Sequence, residues 1–126
     1  MYKKYVLDTN TIIYLLSGEI ILSKVIDTNN FHIIIPGIVY MELLSKAINT
    51  EELESIQEIL NDFELAEAGL HKYLVGANLR KKYKSLKSAD AIIAATAKTK
   101  QATLITSDKL LLNIKEINSI KALSTF

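Results

Sequence analysis

Apolar and polar positions fall in short blocks along this chain, and the period within the blocks changes from one to the next. Tyr5-Val6-Leu7 is an apolar run closed by Asp8-Thr9-Asn10, the pattern of a buried strand and a turn. Residues 11–17 recur at helical spacing and stop at Gly18. A second short helix is expected over 20–27, broken at Asn29-Asn30. Residues 32–35 form a β-branched strand stopped by Pro36-Gly37. Helical period returns over 38–48, and a further helix runs to about residue 60. Its start is Asn49 or Thr50; Asn49 has Glu52 three residues on, which suits a capping box, whereas Thr50 has Leu53 there. Residues 63–66 alternate as a strand. Residues 69–83 read as a helix whose buried side is Leu70, Leu74, Ala77 and Leu79. Residues 88–99, dense in Ala and Ile, make another helix. A strand over 103–105 follows, then a helical turn opening at Ser107-Asp108 and a weak strand over 120–123. Strands alternating with helices imply a parallel sheet covered on both faces, an α/β sandwich.

Composition narrows the class. With 126 residues, 49% hydrophobic and 23% charged, residues 1–126 fit one soluble domain with one core. One Pro and four Gly leave no linker or low-complexity segment. The absence of Cys excludes disulfides, thiolate catalysis and Cys-based zinc sites. The N-terminus meets Asp8 before any apolar stretch of signal-peptide length, and runs such as 12–16 are far too short to span a bilayer. A cytoplasmic protein without membrane insertion is the expectation. Net charge is +1, but residues 1–68 hold four Lys/Arg against eleven Asp/Glu, a balance of −7, and residues 69–126 hold eleven against three, a balance of +8. That split points either to an anionic ligand on the second half or to two halves that neutralise each other.

The acids fall in telling places. Asp8 follows the first strand directly, and Asp108 follows Leu104-Ile105 after Thr106 and Ser107. In an open parallel sheet, ligands bind beyond the carboxyl ends of the strands. Asp90 sits in the first turn of a helix that carries no other charge between Lys87 and Lys98. Glu42 stands among Ile38, Val39, Met41, Leu43 and Leu44. A carboxylate in such apolar company needs a cation or a donor. Each acid also has an ordinary role: Asp8, Asn10 or Asp108 as a helix cap, Asp90 as a complement to the helix dipole, Glu42 as a solvated acid. Four acids from four segments crowding one sheet edge would repel one another, and a divalent cation relieves that repulsion. Oxygen-only ligands select hard ions, Mg²⁺ or Mn²⁺, and carboxylate-held ions of this kind suit phosphoryl transfer. His32 and His71 are better placed on strand and helix surfaces than as zinc ligands.

Tyr5-Val6-Leu7-Asp8-Thr9-Asn10, Val39-Tyr40-Met41-Glu42-Leu43, Ser88-Ala89-Asp90-Ala91-Ile92-Ile93-Ala94-Ala95 and Leu104-Ile105-Thr106-Ser107-Asp108 resemble, in order and spacing, the four motifs of PIN-domain nucleases. The short length resembles the VapC toxin branch of type II toxin–antitoxin systems. The resemblance implies a PIN-like sandwich and Mg²⁺- or Mn²⁺-dependent cleavage of RNA. It makes Asp8, Glu42, Asp90 and Asp108 the catalytic, metal-binding acids, with Asn10 and Thr106 as supporting polar groups. It further implies a homodimer and a cognate antitoxin that reaches into the acidic site. Many relatives carry another acid two residues beyond the position of Asp108; Leu110 stands there in this chain.

An acidic site must still attract a polyanion. Arg80, Lys81, Lys82, Lys84 and Lys87 precede Asp90 and Lys109 follows Asp108, so they are candidates for contact with RNA phosphates, or a solvated helix face. Tyr73 and Tyr83 offer faces for unpaired bases, with core packing the commoner role. The reading from another class is a catalytically inactive PIN-like module that binds RNA or a protein partner. A phosphohydrolase with an aspartyl nucleophile fits poorly, because no second acid lies close to Asp8 in the chain.

Overall fold

The computed structural model describes residues 3–20, 22–26 and 29–122. Among them the chain forms β1 (Lys3–Leu7), α1 (Thr9–Leu16), β2 (Phe31–Pro36), α2 (Gly37–Ser45), α3 (Thr50–Leu60), β3 (Glu64–Ala66), α4 (Leu70–Lys82), α5 (Ser88–Thr99), β4 (Thr103–Thr106), α6 (Lys109–Leu112) and β5 (Asn118–Lys121). The strands make one parallel sheet in the order β3-β2-β1-β4-β5. The expected α/β architecture, a central parallel sheet flanked by helices, is the one that forms.

The sheet centre explains its own sequence. Tyr5, Val6 and Leu7 of β1, Ile33, Ile34 and Ile35 of β2, and Leu104 and Ile105 of β4 are all buried. Strands covered on both faces have no polar side to show, so their apolar residues run on without alternation. The outer strands β3 and β5 are short and carry Glu64, Asn118 and Lys121, which blunts the two edges. Register sets up the site. Leu7 lies opposite Ile105 across β1 and β4, so the two strands end within one residue of each other.

Several boundaries shift for identifiable reasons. α1 starts at Thr9 because Asp8, and not Asn10, caps it. It ends before Gly18, whose φ of 80° is the left-handed backbone that glycine adopts without strain. The expected helix over 20–27 is a three-residue 3₁₀ turn, Leu22–Lys24, with residues 21 and 27 outside the described set. Ile20 and Ile26 are buried on either side of it, so core contacts rather than a helical repeat anchor the segment. α2 begins at Gly37 and stops at Ser45, earlier than the period suggests, before Asn49 restarts the chain by accepting the N–H of Glu52 at 2.8 Å. β5 lies over Asn118–Lys121, and residue 123 of the expected strand falls outside the described residues.

The buried side expected for α4 is overturned. Leu70 is 74% exposed, Leu74 is 56% exposed, and Ala77 is exposed as well. Leu79 is buried as expected, but its companions are Val75, Gly76 and Tyr83. α4 carries apolar residues on two sides, and period alone does not choose between them. The choice is made by α5, which packs against the Gly76 side of α4: a Cβ on Gly76 would sit in van der Waals contact with Ala91, 3.5 Å from its carbonyl oxygen.

Candidate active site

The direction in which strands are added to the sheet reverses at β1: β2 and β3 lie on one side, β4 and β5 on the other. In open α/β sheets the crevice at such a point takes the ligand. Asp8 leaves β1 there and is only 6% exposed. Its two carboxylate oxygens have separate partners. Oδ1 accepts the backbone N–H of Thr11 at 2.9 Å, and Oδ2 accepts the Thr106 hydroxyl. The Thr106 oxygen in turn accepts the backbone N–H of Asp108 at 3.0 Å. The Thr11 hydroxyl donates to the Ile105 carbonyl at 2.9 Å, pinning α1 to the end of β4. Asp108 caps α6, accepting the N–H groups of Leu110 and Leu111 at 2.8 and 3.3 Å. The two acids that cap α1 and α6 thus stand together at the carboxyl edge of the sheet.

Two further acids come from helices. Glu42 projects from α2 and accepts the Thr9 hydroxyl on Oε1 at 2.7 Å. Asp90 sits in the first turn of α5. All four carboxylates line a cavity of about 150 Å³, together with Thr9, Asn10, Lys46 and Ile93. The electrostatic consequence appears at Asp90. Burial, then the negative charges of Asp108, Asp8 and Glu42, push its carboxyl above the ordinary Asp range, against a smaller opposing pull from Lys87.

The donor set is all oxygen, which fits a hard divalent cation. Among the described residues no three acids or histidines stand close enough to form a ready-made cage. A small hard ion such as Mg²⁺ needs none, since it retains several waters and takes one or two carboxylates directly.

A model of the PIN domain matches residues 5–117. The chain belongs to the PIN domain family. Among curated proteins no sequence match is found. Solved structures agree in fold. A toxin–antitoxin complex from Klebsiella pneumoniae aligns at 28% identity with a TM-score of 0.76, over 89% of this chain and 93% of that one. VapBC-1 from nontypeable Haemophilus influenzae aligns at 25% with a TM-score of 0.74, over 92% and 96%. DNA-bound VapBC from Salmonella typhimurium aligns at 19% with a TM-score of 0.78, over 96% and 98%, a likeness of fold.

Within this PIN domain the remaining sequence candidates separate. Asn10 lines the cavity, and its side chain makes no hydrogen bond among the described residues. Lys87 immediately precedes α5 and acts electrostatically on Asp90, while Lys109 opens α6. Arg80 braces the turn between α4 and α5, its Nε donating to the Leu86 carbonyl at 3.0 Å. Lys82 pairs with Glu116 at 3.2 Å and lies 5.6 Å from the Tyr83 ring centre. Lys81 and Lys84 are exposed and form no ion pair among the described residues. Tyr83 packs against the core, and its hydroxyl donates to Glu116 at 2.6 Å. Tyr73 departs from the core-packing expectation at 55% exposure. Leu110, the departure from the resembled motif noted in the sequence, packs against the core.

Thr9, Thr11 and Lys46 are the residues that reading the sequence missed. Thr9 and Thr11 flank Asn10 in the turn after β1, where hydroxyls look like ordinary turn chemistry. Lys46 carries one usable signal: it lies four residues after Glu42, on the same face of a helical stretch.

Proposed function

We propose that this chain is a metal-dependent endoribonuclease, the toxin of a toxin–antitoxin pair. The observation that carries the reading is the meeting of four carboxylates from four segments in one cavity at the carboxyl edge of the sheet, with burial and the other three acids pushing the Asp90 carboxyl above its ordinary range. Repulsion of this kind is a standing cost to the fold, and a cation offsets it.

Asp8, Glu42, Asp90 and Asp108 are the residues that would hold Mg²⁺ or Mn²⁺. A bound ion of this kind supplies a more acidic water for attack on phosphorus and neutralises charge building on the phosphate oxygens. The chain's own groups do the positioning. Thr106 and the Thr11 N–H fix the plane of the Asp8 carboxylate, and Thr9 fixes one oxygen of Glu42. Asp108 spends one oxygen on the α6 cap and keeps the other for the crevice. Asn10, exposed at the cavity rim, is a polar contact for substrate or water. Lys87 and Lys109, with Lys81 and Lys84 further out, supply cations for flanking RNA phosphates.

The partners proposed are single-stranded RNA, a second copy of the chain and a cognate antitoxin, with residues 1–126 working as one PIN-like domain in the cytoplasm. Support for the antitoxin comes from the neighbours, which were solved as toxin–antitoxin assemblies. No helix among the described residues is long and apolar enough to cross a membrane.

The test is cleavage of a labelled RNA by metal-free protein resupplied with Mn²⁺, comparing wild type with Asp8→Asn. Wild type should cut and the variant should lose at least about 100-fold in rate, the usual scale for losing an oriented charged group at a reacting centre. Equal cleavage by both, or none by either, would return the chain to an inactive interaction module.

A further inference from the structure

Lys46 is a cation in the wall of the acid cavity, and the chemistry above does not use it. It caps the C-terminus of α2, four residues beyond Glu42. Its side chain is exposed, and among the described residues it forms no ion pair, although four carboxylates line the same cavity. A lysine recruited to neutralise the cluster would rest on one of those oxygens. Among the described residues this one makes neither a side-chain hydrogen bond nor an ion pair with its three N–H donors. Favourable placement at a helix C-terminus explains a basic residue at this position. It does not explain why the side chain lines the cavity.

Topology gives the lysine a counterpart. α2 follows β2 and α6 follows β4, and these strands lie on either side of β1. Lys46, in the cavity wall, closes α2 on the β2 side, and Lys109 opens α6 on the β4 side, one residue after Asp108 of the cavity lining. A single RNA strand drawn across that crevice carries phosphates on both sides of the bond to be cut. The carboxylates repel those phosphates, and a cation on each flank offsets the repulsion where the strand enters and leaves. We infer that Lys46 binds the RNA phosphate neighbouring the scissile one on the α2 flank. This rests on the ribonuclease reading above and adds a substrate-binding residue to it.

The experiment uses a short fluorescein-labelled single-stranded RNA and the full chain. Binding is titrated against salt in an Asp90→Asn background, which removes cleavage from the readout. Adding Lys46→Met should weaken binding roughly five- to tenfold near 0.1 M salt. It should also flatten the plot of log affinity against log salt by about 0.7, the share of one phosphate contact on a single strand. Lys46→Arg should restore both. In the cleaving protein, Lys46→Met should raise KM by a comparable factor and change kcat much less. Unchanged affinity and slope in Lys46→Met, with wild type still cutting RNA, overturns this inference alone. Tighter Mn²⁺ binding with unchanged RNA affinity overturns it too, and makes Lys46 the counter-ion of the cluster. A fall in melting temperature with no change in RNA binding leaves only the helix-end role and likewise overturns it. Wild type that neither binds nor cuts the RNA removes both readings together.

Discussion

The hydroxyl of Thr106 serves two acids at once, donating to Asp8 and accepting the backbone N–H of Asp108. One small side chain thus ties the Asp8 carboxylate to the backbone of Asp108 at the ends of β1 and β4. Asp90 is the acid with a measurable signature. Its folded-state carboxyl holds a proton more tightly than the value of about 3.9 for an unfolded chain. Between those two values the native state binds more protons than the unfolded state, so stability falls as pH rises through the window. Above the window the penalty is constant, and below the unfolded value it vanishes. Asp90→Asn should therefore raise the melting temperature of metal-free protein at pH 7, and the gain should shrink toward zero as pH falls below about 3.9. Calorimetry in EDTA across pH reads this directly; a gain that is independent of pH would mean that neither burial nor the neighbouring carboxylates raise the proton affinity of Asp90. The four acids were legible in the sequence because each interrupts an apolar run or ends a strand. Lys46 and Thr9 were not, because a lysine at a helix end and a threonine in a turn look ordinary until the fold brings them to the same cavity.

Helices show what local pattern decides and what it leaves to packing. α5 was legible from end to end, since a run of Ala and Ile with one acid in the first turn has no other compact use. The start of α3 at Asn49 was legible from the spacing to Glu52, and the observed cap bond is the one that spacing predicts. α4 was legible in extent but not in orientation. Leu70 and Leu74 looked like core and face outward, whereas Gly76 looked incidental and sits at the contact with α5. That contact is ordinary rather than tight, so a methyl group fits. Gly76→Ala should stabilise the protein by about 0.5–1 kcal/mol, the usual cost of glycine within a helix. Urea unfolding of the two proteins checks it; a loss of stability would mean that α4 and α5 pack closer than 3.5 Å at this point.

Across the whole molecule, charge is sorted by chain half and then partly stitched together in space. Glu64, from the acidic half, pairs with Lys100 at 2.8 Å and with His32 at 2.7 Å, and these partners hold its carboxyl below the usual range. The acid crevice is left without such an internal remedy, and that difference is testable without any substrate. A cation that binds only the native state stabilises it by about 2.7 kcal/mol at a hundredfold excess over its dissociation constant, near 10 °C in melting temperature for a chain of this size. Mn²⁺ at that excess should produce a shift of that order in wild type, growing with the logarithm of its concentration, and little in Asp8→Ala; equal shifts in the two would detach the ion from the crevice. The parallel sheet was legible from strands alternating with helices, but the central position of β1 was not, because strand order depends on which crossover goes which way. That position orders events during synthesis. β2, one neighbour of β1, lies about thirty residues on in the chain, whereas its other neighbour, β4, is about a hundred residues away. A growing chain that has reached Asp90 already holds three of the four carboxylates but not β4, so Asp8 lacks the Thr106 hydroxyl until that strand is added.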